Sequence, residues 1–120
     1  MTSRRPKQKD ALYVSWRLLE AGDGAAGRLH RRLNAGQTRH LYRLRSWVIV
    51  GGVVQALLAP AASLDRIAEA LWAASTEPVS SRWVGGLACA AIARKIETTP
   101  VSLGLASRPE QWPWSSAASH

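Results

Sequence analysis

The chain has 120 residues, 47% of them hydrophobic, which is enough for one domain with a modest core. Its formal net charge is +8, and thirteen of the sixteen basic residues are arginine, a side chain suited to bidentate phosphate contacts. This balance favours a polyanionic partner, most commonly nucleic acid, although a high-GC coding sequence rich in arginine and alanine would add to the same bias.

Composition also limits the other classes of function. Cys89 is the only cysteine, which excludes an internal disulfide and a cysteine metal site, and its apolar neighbours favour a core position. The basic residues 1–10 lead into no long apolar run, and residues 47–60 are too short and interrupted to span a bilayer. We expect a soluble, cytoplasmic protein with no membrane partner, in which a flexible arm (residues 1–10) precedes a single domain (residues 11–120).

The first two predicted elements are a strand and a weak helix. Apolar and polar residues alternate through residues 11–20, the period of a half-buried strand. Residues 25–34 place leucines four positions apart, which predicts a helix that ends near Gly36, since glycine is common just past a helix end.

The same region carries six arginines within eighteen residues, and no acidic residue lies between Gly24 and Asp65 to neutralise them. A charge run of this kind is usually a solvated face, but here a phosphate-binding surface is favoured. The six are Arg28, Arg31, Arg32, Arg39, Arg43 and Arg45.

The middle of the chain predicts a β-hairpin and a second helix. Two β-branched runs, residues 45–50 and 53–58, are split by Gly51-Gly52, a pair typical of hairpin turns. Ser63 then predicts the cap of an amphipathic helix over residues 63–74.

The last third predicts a fourth strand at residues 79–84 and a helix at residues 87–96, ended by Thr98-Thr99-Pro100. Alternating apolar residues at 101–105 predict a further short strand before the tryptophan-rich tail. The order β-α-β-β-α-β predicts an α+β protein with a ferredoxin-like, split β-α-β antiparallel sheet, an extra C-terminal helix and a Trp-rich tail.

The C-terminal region resembles a known family. Residues 95–116 are KIETTPVSLGLASRPEQWPWSS. This run is similar, without gaps, to the pattern Y-I-E-x-N-P-V-R-A-G-L-V-x-R-P-E-D-W-P-W-S-S of the single-tyrosine HUH transposases of the insertion-sequence and REP-associated type. Residues 47–60, WVIVGGVVQALLAP, are similar to that family's W-V-V-M-P-N-H-V-H-L-L-L-x-P, and the resemblance extends from Tyr13 to Ser116.

The resemblance implies a DNA-nicking enzyme with two histidines that bind a divalent metal such as magnesium and a tyrosine nucleophile. At those positions this chain has Val53, Gln55 and Lys95. Valine has no ligand atom, an amide oxygen alone holds a divalent ion poorly, and lysine does not replace the tyrosine as nucleophile. No catalytic residue and no cofactor is therefore assigned, and Lys95 and Arg94 join the six arginines as candidate DNA contacts.

Other side chains offer no clear replacement for the lost site. The histidines His30, His40 and His120 are scattered along the chain, and Tyr13 and Tyr42 are predicted to pack within strands. Two alternatives stay open for Trp112 and Trp114: stacking on DNA bases, or, as favoured, anchoring the tail to the sheet.

Three hypotheses of function remain. The first is an inactive transposase homologue that binds hairpin or single-stranded DNA without cleaving it. The second is a folded relic, or an interaction module, with no DNA role. The third, disfavoured, is an active enzyme that uses other residues. Homodimerisation stays open, because some members of the family form dimers.

Overall fold

The computed structural model describes residues 11–19, 24–72 and 76–119. Its regular elements, in chain order, are β1 (Ala11–Arg17), α1 (Ala25–Thr38), β2 (Tyr42–Val50), β3 (Val53–Pro60), α2 (Leu64–Leu71), β4 (Ser80–Val84) and α3 (Gly86–Ser102), followed by 3-10 turns at Pro109–Gln111 and Ser116–Ser119. The predicted arm of residues 1–10, the end of the predicted second helix at residues 73–74, and His120 lie outside the described residues.

The four strands form one antiparallel sheet in the order β2-β3-β1-β4. A β-α-β-β-α-β chain with this strand order is the ferredoxin-like, split β-α-β arrangement, so the predicted fold class is confirmed. The central strands are β3 and β1, and β2 and β4 are the edges.

One face of the sheet is covered by α1 and α2. Alternate residues of the central strands point to this face, as the two-residue period of a strand requires. The buried side chains that α1 and α2 bring to it are Leu29, Leu33, Ile67 and Leu71, and they pack on Leu12, Val14, Trp16, Val54, Ala56 and Leu58 of the sheet.

The opposite face is covered by α3 and by the C-terminal tail, residues 103–119. Its buried residues are Ala11, Val48, Leu57, Val84, Cys89 and Ile96, with Trp112 of the tail packed against them. Cys89 is buried, as its apolar neighbours predict. The third helix and the part of the tail around Trp112 therefore form a layer on this side of the sheet, whereas Trp114 packs against the core on the other side.

The hairpin and the second helix are confirmed, except that the helix ends at Leu71 and Trp72 is already extended, so its predicted end at residue 74 is wrong. Gly51 and Gly52 both have positive φ, 59° and 78°, as a two-residue turn between twisted strands requires. Ser63 caps α2, since its hydroxyl accepts a hydrogen bond of 3.3 Å from the backbone amide of Arg66. None of the described helices has both the length and the apolar character needed to cross a membrane.

The predicted end of the first helix is wrong. Gly36 is buried inside α1, which continues to Thr38. The left-handed residue just past the helix end is instead His40, with a φ of 60°. The amides of His40 and Leu41 donate hydrogen bonds to the carbonyls of Gln37 and Gly36. Gly36 is glycine because Tyr42 packs over it: an added Cβ would lie 2.3 Å from the tyrosine hydroxyl.

The predicted strand at residues 101–105 and the predicted stop of the last helix at Thr98-Thr99-Pro100 are also wrong. Helix α3 runs through Pro100 to Ser102, and Gly104, with a φ of 75°, ends it. The amide of Leu105 bonds the carbonyl of Pro100 at 2.8 Å, and the amide of Gly104 bonds that of Val101 at 3.0 Å. This glycine-ended pair of bonds satisfies the last carbonyls of a helix and is incompatible with an extended strand.

Candidate nucleic-acid interface

The positions where the resemblance implies histidines lie on the α3 face of the central strand β3. Val54 and Ala56 point into the core beneath α1 and α2, whereas Leu57 belongs to the core beneath α3. Since strand residues alternate between faces, Val53 and Gln55 share the face of Leu57. Both are partly buried.

Gln55 is hydrogen-bonded by Tyr13 of β1, which in turn contacts Arg82 of β4. The hydroxyl of Tyr13 donates a 2.9 Å hydrogen bond to the side-chain oxygen of Gln55, and the guanidinium of Arg82 lies 5.1 Å from the centre of the Tyr13 ring. Burial raises the pKa of Tyr13, against smaller opposing effects of the Arg82 charge and a hydrogen bond with Ser15. The Tyr13 phenol is therefore held neutral, as a hydrogen-bond donor.

The divalent metal implied by the resemblance does not fit these residues. Val53 offers no ligand atom, and the oxygen of Gln55 already accepts a hydrogen bond from Tyr13. Across residues 11–19, 24–72 and 76–119, no three His, Cys, Asp or Glu side chains group closely enough to hold a metal ion. A hard cation needs about six oxygen ligands, so the site as built is a poor metal site.

Lys95 and Arg94 are exposed residues of α3, on the flank of the helix beside the buried Ile96. They lie on the layer that covers the Gln55 face. Further along the same helix, the hydroxyls of Thr98 and Thr99 bond to the carbonyls of Arg94 and Lys95 at 2.9 and 3.0 Å, so they bind their own helix backbone.

The tryptophans of the tail anchor it to β2. The indole nitrogen of Trp112 donates to the carbonyl of Ile49 at 2.9 Å, and the carbonyl of Trp114 accepts from the amide of Ile49 at 2.8 Å. The Trp114 ring packs against the core under α1, near His30, at 6.0 Å between ring centres. The anchoring interpretation of both tryptophans is therefore confirmed.

Ser116 completes this closure of the β2 edge. Its hydroxyl accepts a 3.0 Å hydrogen bond from the amide of Trp47 and donates to the carboxylate of Glu97 on α3. The tail therefore ties the outer edge of β2 to the third helix, and it protects backbone groups that an open edge strand would expose.

A cleft of about 450 Å³ lies on the other side of the sheet, between α1 and the end of α2. Its floor includes Leu18 and Leu29, and Ala70 of α2 forms part of its far wall. An adjoining cleft of about 420 Å³ is lined by Arg66 and Glu69 of α2. Four arginines line the first cleft: Arg28, Arg31, Arg32 and Arg39.

Arg32 holds the two walls of this cleft together. Its guanidinium donates to the carbonyls of Ala70 and Trp72, at 3.0 and 3.2 Å, at the C-terminal end of α2. A cation suits this end of a helix, where the backbone carbonyls lack partners. Arg32 is therefore occupied in fixing α2, whereas Arg31 and Arg39 are exposed.

The eight basic residues predicted to contact DNA fall into three groups rather than one surface. The four arginines of the cleft lie on the face covered by α1 and α2, and Arg94 and Lys95 lie on α3, across the sheet. Arg43 and Arg45 are exposed residues of the edge strand β2. Arg66 and Arg82 were not predicted from the sequence. The packing of α2 places Arg66 beside the cleft, and the register of β4 places Arg82 beside Tyr13.

The whole described fold is similar to that of a solved transposase. A REP-associated tyrosine transposase bound to a REP hairpin has a TM-score of 0.75 to this chain, covering 99% of it and 83% of the transposase chain, at 9% sequence identity. At that identity the likeness establishes the fold, which is a transposase-like one. The chain matches no family model and no curated protein.

Proposed function

We propose that this protein binds hairpin or single-stranded DNA in the cytoplasm and does not cleave it. The observation that carries the proposal is the transposase-like fold, similar at a TM-score of 0.75 to a transposase bound to a DNA hairpin. The net charge of +8 supports the same partner, because phosphate contacts from basic side chains supply most non-specific DNA affinity.

The absence of cleavage follows from what stands at three positions. Val53 and Gln55 do not make a metal site, so the scissile phosphate would lack the polarising ion that this class of reaction uses. Lys95 has an ammonium group where the tyrosine would attack, and an ammonium has no lone pair with which to attack phosphorus. It does carry a positive charge with three donors, which suits contact with a phosphate.

The second candidate is a folded relic with no DNA role, and one observation favours it. The basic residues lie on more than one face of the sheet, so they do not form a single continuous groove. A relic would keep the buried core while its surface charge served only solubility. Such a protein would show no preference for a hairpin over a duplex of equal charge.

A gel experiment separates the candidates. A labelled DNA hairpin with a single-stranded extension is incubated with the protein in magnesium or manganese, then run on native and denaturing gels. The proposal predicts a retarded native band and an intact denatured strand. A strand cut in a metal-dependent way would contradict the absence of cleavage, and the lack of any retarded band would favour the relic. A duplex of equal length is the control for charge.

A further inference from the structure

Charge is distributed unevenly around α1. The buried stripe of the helix includes Leu29, Leu33 and Gly36. Three of the four arginines that line the cleft, Arg28, Arg32 and Arg39, lie on one flank of that stripe, facing α2, and Arg31 lies on the outward side of the helix. The other flank carries no arginine, and His30 on that side stacks on Trp47 at 4.6 Å between ring centres.

This segregation argues against a plain solvated face. Arginines placed only for solubility would be spread over the outward side of the helix, where their mutual repulsion is smallest. Here they converge on a concave surface. Within the described parts of the chain, no carboxylate forms an ion pair with Arg31 or Arg39. The cleft therefore concentrates positive charge that a bound anion would neutralise.

An exposed aromatic residue follows α2, next to the wall of the same cleft. Trp72 follows the last turn of α2, and its carbonyl accepts the hydrogen bond from Arg32 that holds the cleft wall. Trp72 is 48% exposed, which leaves much of a large apolar residue open to solvent. Basic grooves with exposed aromatic rings are how proteins hold unpaired nucleic acid, with phosphates on the cations and bases on the rings.

We infer that the cleft between α1 and α2 binds a single, unpaired DNA strand, with Arg31 and Arg39 on its phosphates and Trp72 stacked on a base. This inference rests on the proposed function and names the surface that performs it. The site lies across the sheet from Gln55 and Lys95, so strand binding here does not depend on the altered positions of the α3 face.

The test compares two pairs of variants with an oligothymidylate of about 12 nucleotides. Trp72→Leu is expected to weaken binding about tenfold and to abolish most of the quenching of tryptophan fluorescence. Its control is Trp83→Leu, because Trp83 of β4 is 44% exposed and lies outside the cleft. Equal losses in both variants would overturn the stacking role of Trp72.

The charge is tested with the double variant Arg31→Ala/Arg39→Ala. Loss of two phosphate contacts to a single strand should reduce the slope of log affinity against log salt by about 1.4. The control, Arg17→Ala/Arg108→Ala, removes the same charge from two exposed ion pairs, Arg17–Glu77 and Arg108–Glu110. An equal change in slope in the control would overturn the inference.

Hairpin and duplex DNA separate this inference from the proposed function. Suppose that the wild type binds the hairpin, and that the cleft variants bind both the hairpin and the oligothymidylate with wild-type affinity. The cleft assignment then fails while the proposed function stands. If the wild type binds none of the DNAs, both fail. If the variants lose duplex binding as strongly as single-strand binding, the cleft holds a stem and the assignment to an unpaired strand is wrong.

Discussion

The Tyr13 hydroxyl donates a 2.9 Å hydrogen bond to the side-chain oxygen of Gln55, and so links β1 to β3 where the resemblance implies a metal-binding histidine. The bond satisfies an amide that would otherwise be partly buried without a partner. The side-chain oxygen at this position thus has a protein partner. The polar group that remains there is used for packing between strands.

Restoring two histidines should restore metal binding at this face. In the double variant Val53→His/Gln55→His, both imidazoles would project from the same side of β3, two residues apart, and imidazole is a strong ligand for cobalt and zinc. We expect a saturable cobalt absorption band in the double variant. Gln55→His alone supplies one imidazole and is the control. A double variant that binds cobalt no better than this control would contradict the placement of the two residues on one face.

Two glycines of α1 should respond oppositely to alanine. Gly36→Ala would place its Cβ 2.3 Å from the Tyr42 hydroxyl, so we expect a loss of about 1–3 kcal/mol in unfolding free energy. A Cβ at Gly27 would have its nearest atom, from Arg31, at 3.6 Å. Gly27→Ala should therefore stabilise by about 0.5–1 kcal/mol, because alanine has the higher helix propensity. Urea unfolding measures both, and destabilisation of similar size at both sites would contradict the account.

Arg32 and Arg31 should differ in how much they contribute to the unfolding free energy. Arg32→Ala removes two hydrogen bonds to the end of α2 and should cost about 1–2 kcal/mol of unfolding free energy. Arg31→Ala removes an exposed side chain of the same helix and should change it by less than about 0.5 kcal/mol. Chemical denaturation of the two variants checks this, and an equal loss in both would show that Arg32 does not hold the cleft wall.

Alkaline pH should unfold the protein through Tyr42. Burial raises the pKa of Tyr42 above its ordinary value of 10.0, and its hydroxyl donates to the carbonyl of Leu33. The stabilisation is complete below pH 10. Above it the unfolded chain loses the phenolic proton while the folded chain keeps it, so stability falls by up to about 1.4 kcal/mol per pH unit.

Tyr42→Phe is the control for this titration. The variant has no phenolic proton at this site, so its unfolding free energy should fall less steeply above pH 10 than that of the wild type. All other ionisable groups are the same in both proteins, so their effects cancel in the comparison. Identical slopes in urea unfolding at pH 9 to about 11 would contradict the buried, neutral state of Tyr42.

The strands and the hairpin were predictable because their signals are local. Alternation marked β1, and Gly51-Gly52 marked the turn that joins β2 to β3. Gly104 was a local signal for the end of α3, whose last turn contains Pro100. The alternating apolar residues at 101–105 indicated a strand instead. Pro100 has no amide hydrogen to donate to the carbonyl of Ile96, and the helix continues for only two residues beyond it.

Other features required tertiary contacts that no local pattern contains. Gly36 remains in α1 because Tyr42 fills the space above it, and His40 takes the left-handed position that glycine usually holds. The six arginines of residues 28–45 were evident as a run, but their division between the cleft and β2 depends on how the helices and strands pack. The link from Tyr13 to Gln55 likewise depends on the register of β1 and β3.

DNA binding by this protein is tested by its affinity for a hairpin with a single-stranded extension, measured at about 50 mM and about 200 mM salt. A protein that neutralises about four phosphates should lose on the order of a hundredfold in affinity across that range. We expect this loss of affinity, together with weaker binding to a blunt duplex. Binding that is undetectable at the lower salt concentration, or unchanged between the two, would contradict it.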